Sequence, residues 1–326
     1  MILITKKQVA ERPQAYLDWL LENQTEIEQL DRDPRSPDTL WKLLGKTLSE
    51  HDTQIDPSTV RYELQVALYE EQGGICCYCG DRLRRNKPER GDLEREFPNQ
   101  SIEHFKGKSR NRGLMFNYEN LMLCCKNSSN QTKFKIGYPY RQRMIRNWED
   151  VAVITELPVE KIKAFKSNRH LRAKDDLKVG ETIHVPNPPH CDDEKSKFDE
   201  KPLNLIIIDP TRDGHLIEKL TYDSEGNIGA ANTTDEERAV IEKTIEVLGL
   251  GIEKLNKKRK DVWGRKAFEE KYAESFAAIN EAEIPPQKRE DVLKKLIEKS
   301  LERDESGLFA PFCFVEYASL KAMFGF

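Results

Sequence analysis

The sequence predicts an α+β protein in which a small cysteine-rich region with short strands is embedded in a mostly helical chain. Helical spacing of apolar residues dominates residues 1–72 and the part beyond residue 234. Between these parts, cysteines at positions 76, 79, 124 and 125 flank a short segment, Ser101–Phe105, that suits a strand. Four soft ligands can hold Zn²⁺ tetrahedrally with Zn–S distances of ~2.3 Å, and such a site stabilises a small fold.

Length and composition limit the class of protein. A chain of 326 residues exceeds one ordinary core and predicts two or three lobes. A charged fraction of 34% beside a hydrophobic fraction of 37% is typical of a helix-rich protein with much exposed surface. No apolar run approaches the ~20 residues of a membrane span, and Met1–Lys7 lacks the layout of a signal peptide, so we expect a cytoplasmic protein. Seven cysteines, an odd number that includes a C-x-x-C, indicate metal binding rather than a disulfide framework.

Positive charge is concentrated in one part of an acidic chain. The net charge is −4, yet residues 104–148 contain ten Lys/Arg against a single acid, Glu119. A local basic stripe can bring phosphate backbone to one place on the surface. The alternative is an ordinary solvated loop and helix face.

The N-terminal part is predicted to be helical. Apolar side chains recur at helical spacing over residues 16–21 and 40–48, with a break at Pro34–Pro37. A further helix follows Asp56-Pro57 and ends at Gly73-Gly74, because glycine readily adopts the positive φ of a helix end.

The remainder combines strands and helices. We expect a buried strand at Leu203–Ile208, a hairpin formed by Leu216–Tyr222 and Asn227–Ala230, and a helix at Val159–Arg172. Thr234-Asp235-Glu236-Glu237 is a capping box that predicts the start of a helix. Further helices are predicted over 252–282 and 286–303, before an apolar C-terminal segment, Phe309–Phe326, that we expect to be packed. The predicted regions are 1–72, a core at 73–200 with a long insertion at about 126–190, and 201–326.

The cysteine spacing predicts a metal site. Cys76 and Cys79 can point both thiolates at one ion from a tight turn, whereas a redox role lacks a thioredoxin-like context. Cys124 and Cys125 are adjacent, and neighbouring side chains of an extended segment point to opposite faces, so we expect one of them to be a ligand. The nearest remaining partners are His190 or Cys191.

A Glu-His pair lies between the two groups of cysteines. Glu103 and His104 end the predicted strand, and Asn120 follows before the second cysteine group. A carboxylate and an amide oxygen can bind Mg²⁺ or Mn²⁺, and an imidazole with a pKa near ~6.5 can take a proton from water at neutral pH.

These motifs together resemble the HNH, or ββα-metal, nucleases, and in particular the HNH proteins of Septu-type anti-phage systems that also occur beside some retrons. That family carries a C-x-Y-C knuckle, an I-E-H-[FY]-x-P-K-S strand and turn, an N-L-L-x-x-C segment and a later C-[DN]-x-x-K. The corresponding segments here are Cys76–Cys79, Ile102–Ser109, Asn120–Cys125 and Cys191–Lys195. The resemblance covers roughly residues 60–265. The chain departs from the family at Gly107, where proline is common, and in the long span between Cys125 and Cys191.

The resemblance implies a ββα-metal fold and specific roles. Its register selects Cys125 and Cys191, with Cys76 and Cys79, as ligands of a structural zinc. It implies that Glu103 and Asn120 bind a catalytic Mg²⁺ or Mn²⁺ and that His104 is the general base. Asp192 is expected to assist the catalytic ion. The side chains expected to contact phosphates are Lys106, Lys108, Arg110 and Arg112.

The resemblance also implies partners. DNA is the expected substrate, and an ABC/SMC-like ATPase is the expected partner subunit, since this sequence contains no G-x-x-x-x-G-K-[ST] of its own. We expect no association with a membrane. The alternative is a non-catalytic zinc module that binds nucleic acid or a protein partner.

Overall fold

The computed structural model confirms an α+β fold with small antiparallel sheets. It describes residues 1–44, 57–86, 97–98, 100–126, 131–135, 182–186, 190–191, 195, 207–263, 272–273, 277 and 286–324.

The N-terminal part is helical, as predicted. Its α-helices are α1 (Gln14–Glu22), α2 (Gln24–Glu28), α3 (Pro37–Trp41) and α4 (Pro57–Glu71), and 3₁₀ turns occupy Val9–Glu11 and Leu30–Arg32. Ser36 caps α3 by accepting a hydrogen bond from the Thr39 amide at 3.2 Å. After α4, Gly73 and Gly74 adopt φ values of +57° and +69°, which confirms the predicted helix end.

A two-stranded antiparallel sheet follows the cysteine knuckle. Strand β1 (Gln100–His104) pairs with β2 (Leu121–Cys125), so that His104 lies opposite Leu121 and Gln100 lies opposite Cys125. Two 3₁₀ turns, Arg112–Leu114 and Tyr118–Asn120, occupy the connection. The ββα motif that the resemblance implies stays a prediction, because of residues 192–200 only Lys195 is described, in helical conformation.

The predicted insertion begins and ends in a second antiparallel pair. Strand β3 (Gln131–Lys135) pairs with β4 (Thr182–Pro186), with Lys135 opposite Thr182. The two ends of the insertion therefore run side by side. The helix predicted at Val159–Arg172 lies outside the described residues.

The C-terminal part contains the remaining elements. They are α5 (Gly214–Ile217), β5 (Leu220–Tyr222), β6 (Ile228–Ala230), α6 (Asp235–Val247), α7 (Glu253–Trp263), α8 (Pro286–Ser300) and α9 (Cys313–Phe324). The capping box at Thr234 is confirmed, because its hydroxyl accepts from the Glu237 amide while the Glu237 carboxylate accepts from the Thr234 amide. The β5–β6 hairpin is also confirmed.

Two strand predictions in this part differ from the structure. Leu216 is helical because the Asp213 carbonyl accepts its amide at 2.9 Å, which begins α5 before β5. Ile208 is buried, as expected, yet its amide donates to the Thr244 hydroxyl at 2.9 Å instead of to a neighbouring strand. The preceding residues, 203–206, lie outside the described part of the chain.

A common apolar core joins all three predicted regions. Tyr16 and Trp19 of the N-terminal part, Leu123 of β2, Ile241 of α6 and Val315 of α9 belong to one buried cluster. The division into three folding units stays a prediction. Among the described residues, none of the helices is both long enough and apolar enough to cross a lipid bilayer.

Candidate metal centre and adjoining Glu-His pair

The C-x-x-C turn places its two thiols on the same side. The Cys76 amide donates to the Asp81 carbonyl at 2.8 Å, and the Gly80 amide donates to the Cys76 carbonyl at 3.0 Å. Gly80 closes the turn with φ of +71°, a conformation that favours glycine. Both cysteines are fully buried.

Cys76, Cys79, Cys125 and Cys191 form a cluster that can hold a metal ion such as zinc. Their sulfur atoms all lie within 4.8 Å of one another. Three of the separations are 3.7 Å for Cys79–Cys125, 3.8 Å for Cys76–Cys191 and 3.8 Å for Cys125–Cys191. A tetrahedral ion with Zn–S distances of ~2.3 Å places its sulfurs ~3.8 Å apart, so these four residues fit zinc.

The cluster contains Cys125 and Cys191 and contains neither Cys124 nor His190. The Cys124 sulfur lies 3.4 Å from the Ser101 hydroxyl and outside the cluster, whereas Cys125 is inside it, as strand alternation requires. His190 stays outside the ligand set, with Nε2 at 3.4 Å from the Cys125 sulfur. An imidazole in this place supports a thiolate ligand through an outer hydrogen bond.

Glu103 is buried in an ion pair that the sequence did not reveal. Its Oε1 atom lies 2.6 Å from the ammonium of Lys195 and accepts the hydroxyl of Tyr78 at 2.9 Å. The same ammonium donates to the His104 carbonyl at 2.8 Å. The Lys195 amide donates to the Cys191 carbonyl at 2.9 Å, so this lysine is bonded to a member of the cysteine cluster.

His104 is held in one orientation at the end of β1. Its Nε2 atom lies 3.0 Å from the Met115 carbonyl, and since a carbonyl only accepts, Nε2 carries the proton. The edge of Trp41 packs on the ring, with centroids 4.4 Å apart. Only 5% of His104 is exposed, and this burial lowers its pKa from 6.5 to about 4. The ring is therefore neutral at pH 7.

Asn120 fixes the turn that follows His104. Its side-chain oxygen accepts the Lys106 amide at 2.7 Å, and its nitrogen donates to the carbonyls of Lys106 and Leu114, each at 3.1 Å. The structure thus brings Asn120 beside the Glu-His pair, and the side-chain amide of Asn120 is hydrogen-bonded to backbone groups. Asp192 lies outside the described residues.

A second buried lysine, outside the predicted site, contacts the same sheet. Lys6 lies 3.1 Å from the carboxylate of Glu71, which also accepts the hydroxyl of Tyr118 at 2.7 Å. The ammonium of Lys6 further donates to the carbonyl of Leu121, the residue opposite His104. In β1 the His104 carbonyl accepts from Lys195, whose partner Glu103 also accepts a tyrosine hydroxyl. In β2 the Leu121 carbonyl accepts from Lys6, whose partner Glu71 does the same.

The predicted phosphate-binding side chains differ in their surroundings. Lys106 and Arg110 are exposed. Lys108 pairs with Asp38 at 3.0 Å, and Arg112 donates to the backbone carbonyl of Asp33. Two of the four basic side chains therefore contact the segment that contains α3.

The arrangement places a zinc-type cluster, a buried carboxylate and an oriented neutral imidazole around one small sheet. Such an imidazole can accept a proton at Nδ1, which has no hydrogen-bond partner among the described residues. Tyr78, Lys195 and Trp41 complete the surroundings of the Glu-His pair. No family model matches this chain, and no curated protein matches it significantly.

Proposed function

We propose that this chain is an HNH endonuclease that hydrolyses phosphodiester bonds of DNA and acts in anti-phage defence together with an ATPase partner. The observation that carries the proposal is that the segments around the zinc-type cluster bind the Glu-His pair. Tyr78, between Cys76 and Cys79, donates to Glu103, and Lys195 donates to both Glu103 and the His104 carbonyl. These residues all lie in the motifs that carry the HNH resemblance.

Zinc has a structural role in this proposal. Cys76, Cys79, Cys125 and Cys191 fill a tetrahedral coordination sphere and leave no position for substrate. When bound, the ion ties the knuckle, the end of β2 and the turn that carries Lys195. It thereby fixes the segments that carry Tyr78 and Lys195, the two side chains that donate to Glu103.

His104 is the proposed general base. With Nε2–H donated to the Met115 carbonyl, the lone pair of Nδ1 can take a proton from a water molecule. The water oxygen then forms a bond to phosphorus while the bond from phosphorus to the leaving oxygen breaks. Burial keeps the pKa of the His104 ring at about 4, so the ring is in the neutral form that can accept a proton.

The resemblance also implies a catalytic Mg²⁺ or Mn²⁺ on Glu103 and Asn120. The described arrangement does not present them as ready ligands, because Glu103 Oε1 accepts from Lys195 and Tyr78. The side-chain oxygen of Asn120 likewise accepts the Lys106 amide. We therefore assign no step of the reaction to this ion.

Exposed positive charge supports DNA as the substrate, and the lack of a nucleotide-binding motif in the sequence supports a separate ATPase subunit. Lys106 and Arg110 are exposed next to the Glu-His pair and suit contacts with phosphate groups. The sequence contains no G-x-x-x-x-G-K-[ST], so the proposal assigns any control by ATP to a partner subunit.

A zinc-containing module that binds nucleic acid or a protein without cutting is the second candidate. The closed surroundings of the site favour it: His104 is 5% exposed and Glu103 is 3% exposed. A module of this kind would bind DNA in a salt-dependent manner and release no product.

Plasmid cleavage with Mg²⁺ or Mn²⁺ distinguishes the two candidates. Wild type would be compared with His104→Gln and with His215→Gln, an exposed histidine on α5 that serves as the matched control. Each protein would be assayed alone and with any copurifying ATPase, at equal zinc content. We expect wild type and His215→Gln to cut and His104→Gln to lose at least a hundredfold in rate. DNA binding without cleavage by all three would favour the non-catalytic module.

A further inference from the structure

We infer that Lys195 is a built-in counter-ion of Glu103 that competes with a divalent cation for this carboxylate. The inference rests on the proposed function and specifies how its catalytic ion would be admitted. The ammonium of Lys195 lies 2.6 Å from Glu103 Oε1, and 5% and 4% of the two side chains are exposed. The pair is therefore shielded from water and from dissolved salt.

The hydrogen bonds of Glu103 Oε1 already occupy it. A carboxylate oxygen offers about two lone-pair sites, and Tyr78 and Lys195 each donate to this atom. A Mg²⁺ ion bound to this oxygen at ~2.0–2.1 Å would lie within ~5 Å of the ammonium. Two cations so close in a buried place repel each other strongly, so the ion binds there only if the lysine withdraws.

Lys195 is also restrained from withdrawing. Its ammonium donates to the His104 carbonyl, and its amide donates to the Cys191 carbonyl one helical turn earlier. The backbone of Cys191, a member of the zinc-type cluster, therefore helps to position Lys195. Release of the carboxylate to a divalent ion requires movement of the side chain of Lys195 away from β1.

The test measures Mn²⁺ binding to the zinc-loaded full chain, from the loss of the free-Mn²⁺ electron paramagnetic resonance signal. We expect Lys195→Met to lower the dissociation constant for Mn²⁺ at least tenfold relative to wild type. Lys195→Arg retains the positive charge and should bind Mn²⁺ as wild type does. Adding Glu103→Gln to Lys195→Met should abolish the gain, because the released carboxylate is then missing.

Lys6→Met is the matched control. Lys6 is a buried lysine that binds a glutamate and a backbone carbonyl of the same sheet, and Glu71 also accepts a tyrosine hydroxyl. The Lys6→Met substitution leaves the buried carboxylate of Glu71 without its ammonium partner, at a place where no divalent ion is proposed. An equal gain in Mn²⁺ affinity in this variant would overturn the inference, as would an unchanged affinity in Lys195→Met.

Two further measurements keep the inference testable if Lys195→Met folds poorly. Lys195→Gln keeps a hydrogen-bond donor without the charge and should show the same gain in Mn²⁺ affinity. Mn²⁺ should also raise the melting temperatures of Lys195→Met and Lys195→Gln more than that of wild type.

Plasmid cleavage measured in parallel separates this inference from the proposed function. A gain in Mn²⁺ affinity without cleavage by any protein would support the counter-ion and reject the nuclease. Cleavage by wild type with unchanged Mn²⁺ binding in Lys195→Met would support the nuclease and reject the counter-ion.

Discussion

The sulfur atoms of Cys125 and Cys191 lie 3.8 Å apart, although 66 positions separate the two residues in sequence. Cys125 ends β2, and Cys191 follows the insertion with a positive φ of +56°. The Cys191 amide is held by the Leu248 carbonyl at 2.7 Å. The cluster therefore joins the knuckle, the β1–β2 sheet and the C-terminal part.

Cys191→Ser should lose zinc and at least ~3 kcal/mol of the free energy of unfolding, since loss of a metal site ranks among the largest effects of single substitutions. Cys124→Ser is the matched control, because Cys124 is equally buried but lies outside the cluster. It should retain a full equivalent of zinc. Elemental analysis and thermal unfolding would measure both variants, and equal zinc content in the two would contradict the ligand assignment.

Gly80→Ala should destabilise the protein far more than Gly307→Ala. Both glycines have positive φ, +71° and +75°, so both substitutions introduce a backbone strain of ~1–2 kcal/mol. A Cβ on Gly80 would also lie 1.8 Å from a ring carbon of Phe314, whereas Gly307 has no atom within 4 Å of that position. Urea unfolding should show the difference, and equal losses would mean that Phe314 moves aside without cost.

Stability should fall below pH 6.5 because of His104. Burial lowers its folded-state pKa to about 4, against 6.5 for the unfolded chain, so the unfolded state binds the proton first as pH decreases. The contribution of neutral His104 to the free energy of unfolding is complete above pH 6.5 and is lost as pH falls towards 4. Between pH 7 and pH 5 the loss is about 2 kcal/mol, at 1.36 kcal/mol per pH unit. Chemical unfolding of wild type and His104→Gln at both pH values would test this, and equal pH dependence would contradict it.

Asp38→Asn should tighten DNA binding at low salt. The substitution releases Lys108 from its 3.0 Å ion pair and leaves one more cation for phosphate. We expect an affinity gain of about two- to fivefold and a salt dependence steeper by roughly one counterion. Glu225→Gln removes the same charge from the Lys260 pair on the β5–β6 turn and should have a smaller effect. Fluorescence anisotropy over a salt series would compare the two, and equal gains would indicate a general charge effect.

Local signals in the sequence predicted much of the fold. The glycine pair after α4, the capping box at Thr234 and the turn between β5 and β6 each depend on a few neighbouring residues. The four members of the cysteine cluster followed from spacing and family register, and strand alternation explains why Cys125 rather than Cys124 belongs to the cluster.

Contacts across long sequence distances were not predictable in this way. Lys195 reaches Glu103 from 92 positions away, and Trp41 packs on His104 from a separate helix. No local sequence pattern around Lys195 or Trp41 indicates which residue it contacts. The burial of a charge pair such as Lys195–Glu103 depends on the assembled core. The helical start at Leu216 was missed for a related reason, since backbone bonds to Asp213 overrode the alternation of its neighbours.

The pairing of β3 with β4 brings two positions that are distant in sequence next to each other. Lys135 and Thr182 face each other across the ladder, so the chain is held at adjacent points before and after residues 136–181. The entropic cost of joining two points of a chain grows only logarithmically with the number of residues between them, by about 0.6 kcal/mol for each doubling. A change in the length of this connection should therefore cost little free energy at the β3–β4 ladder.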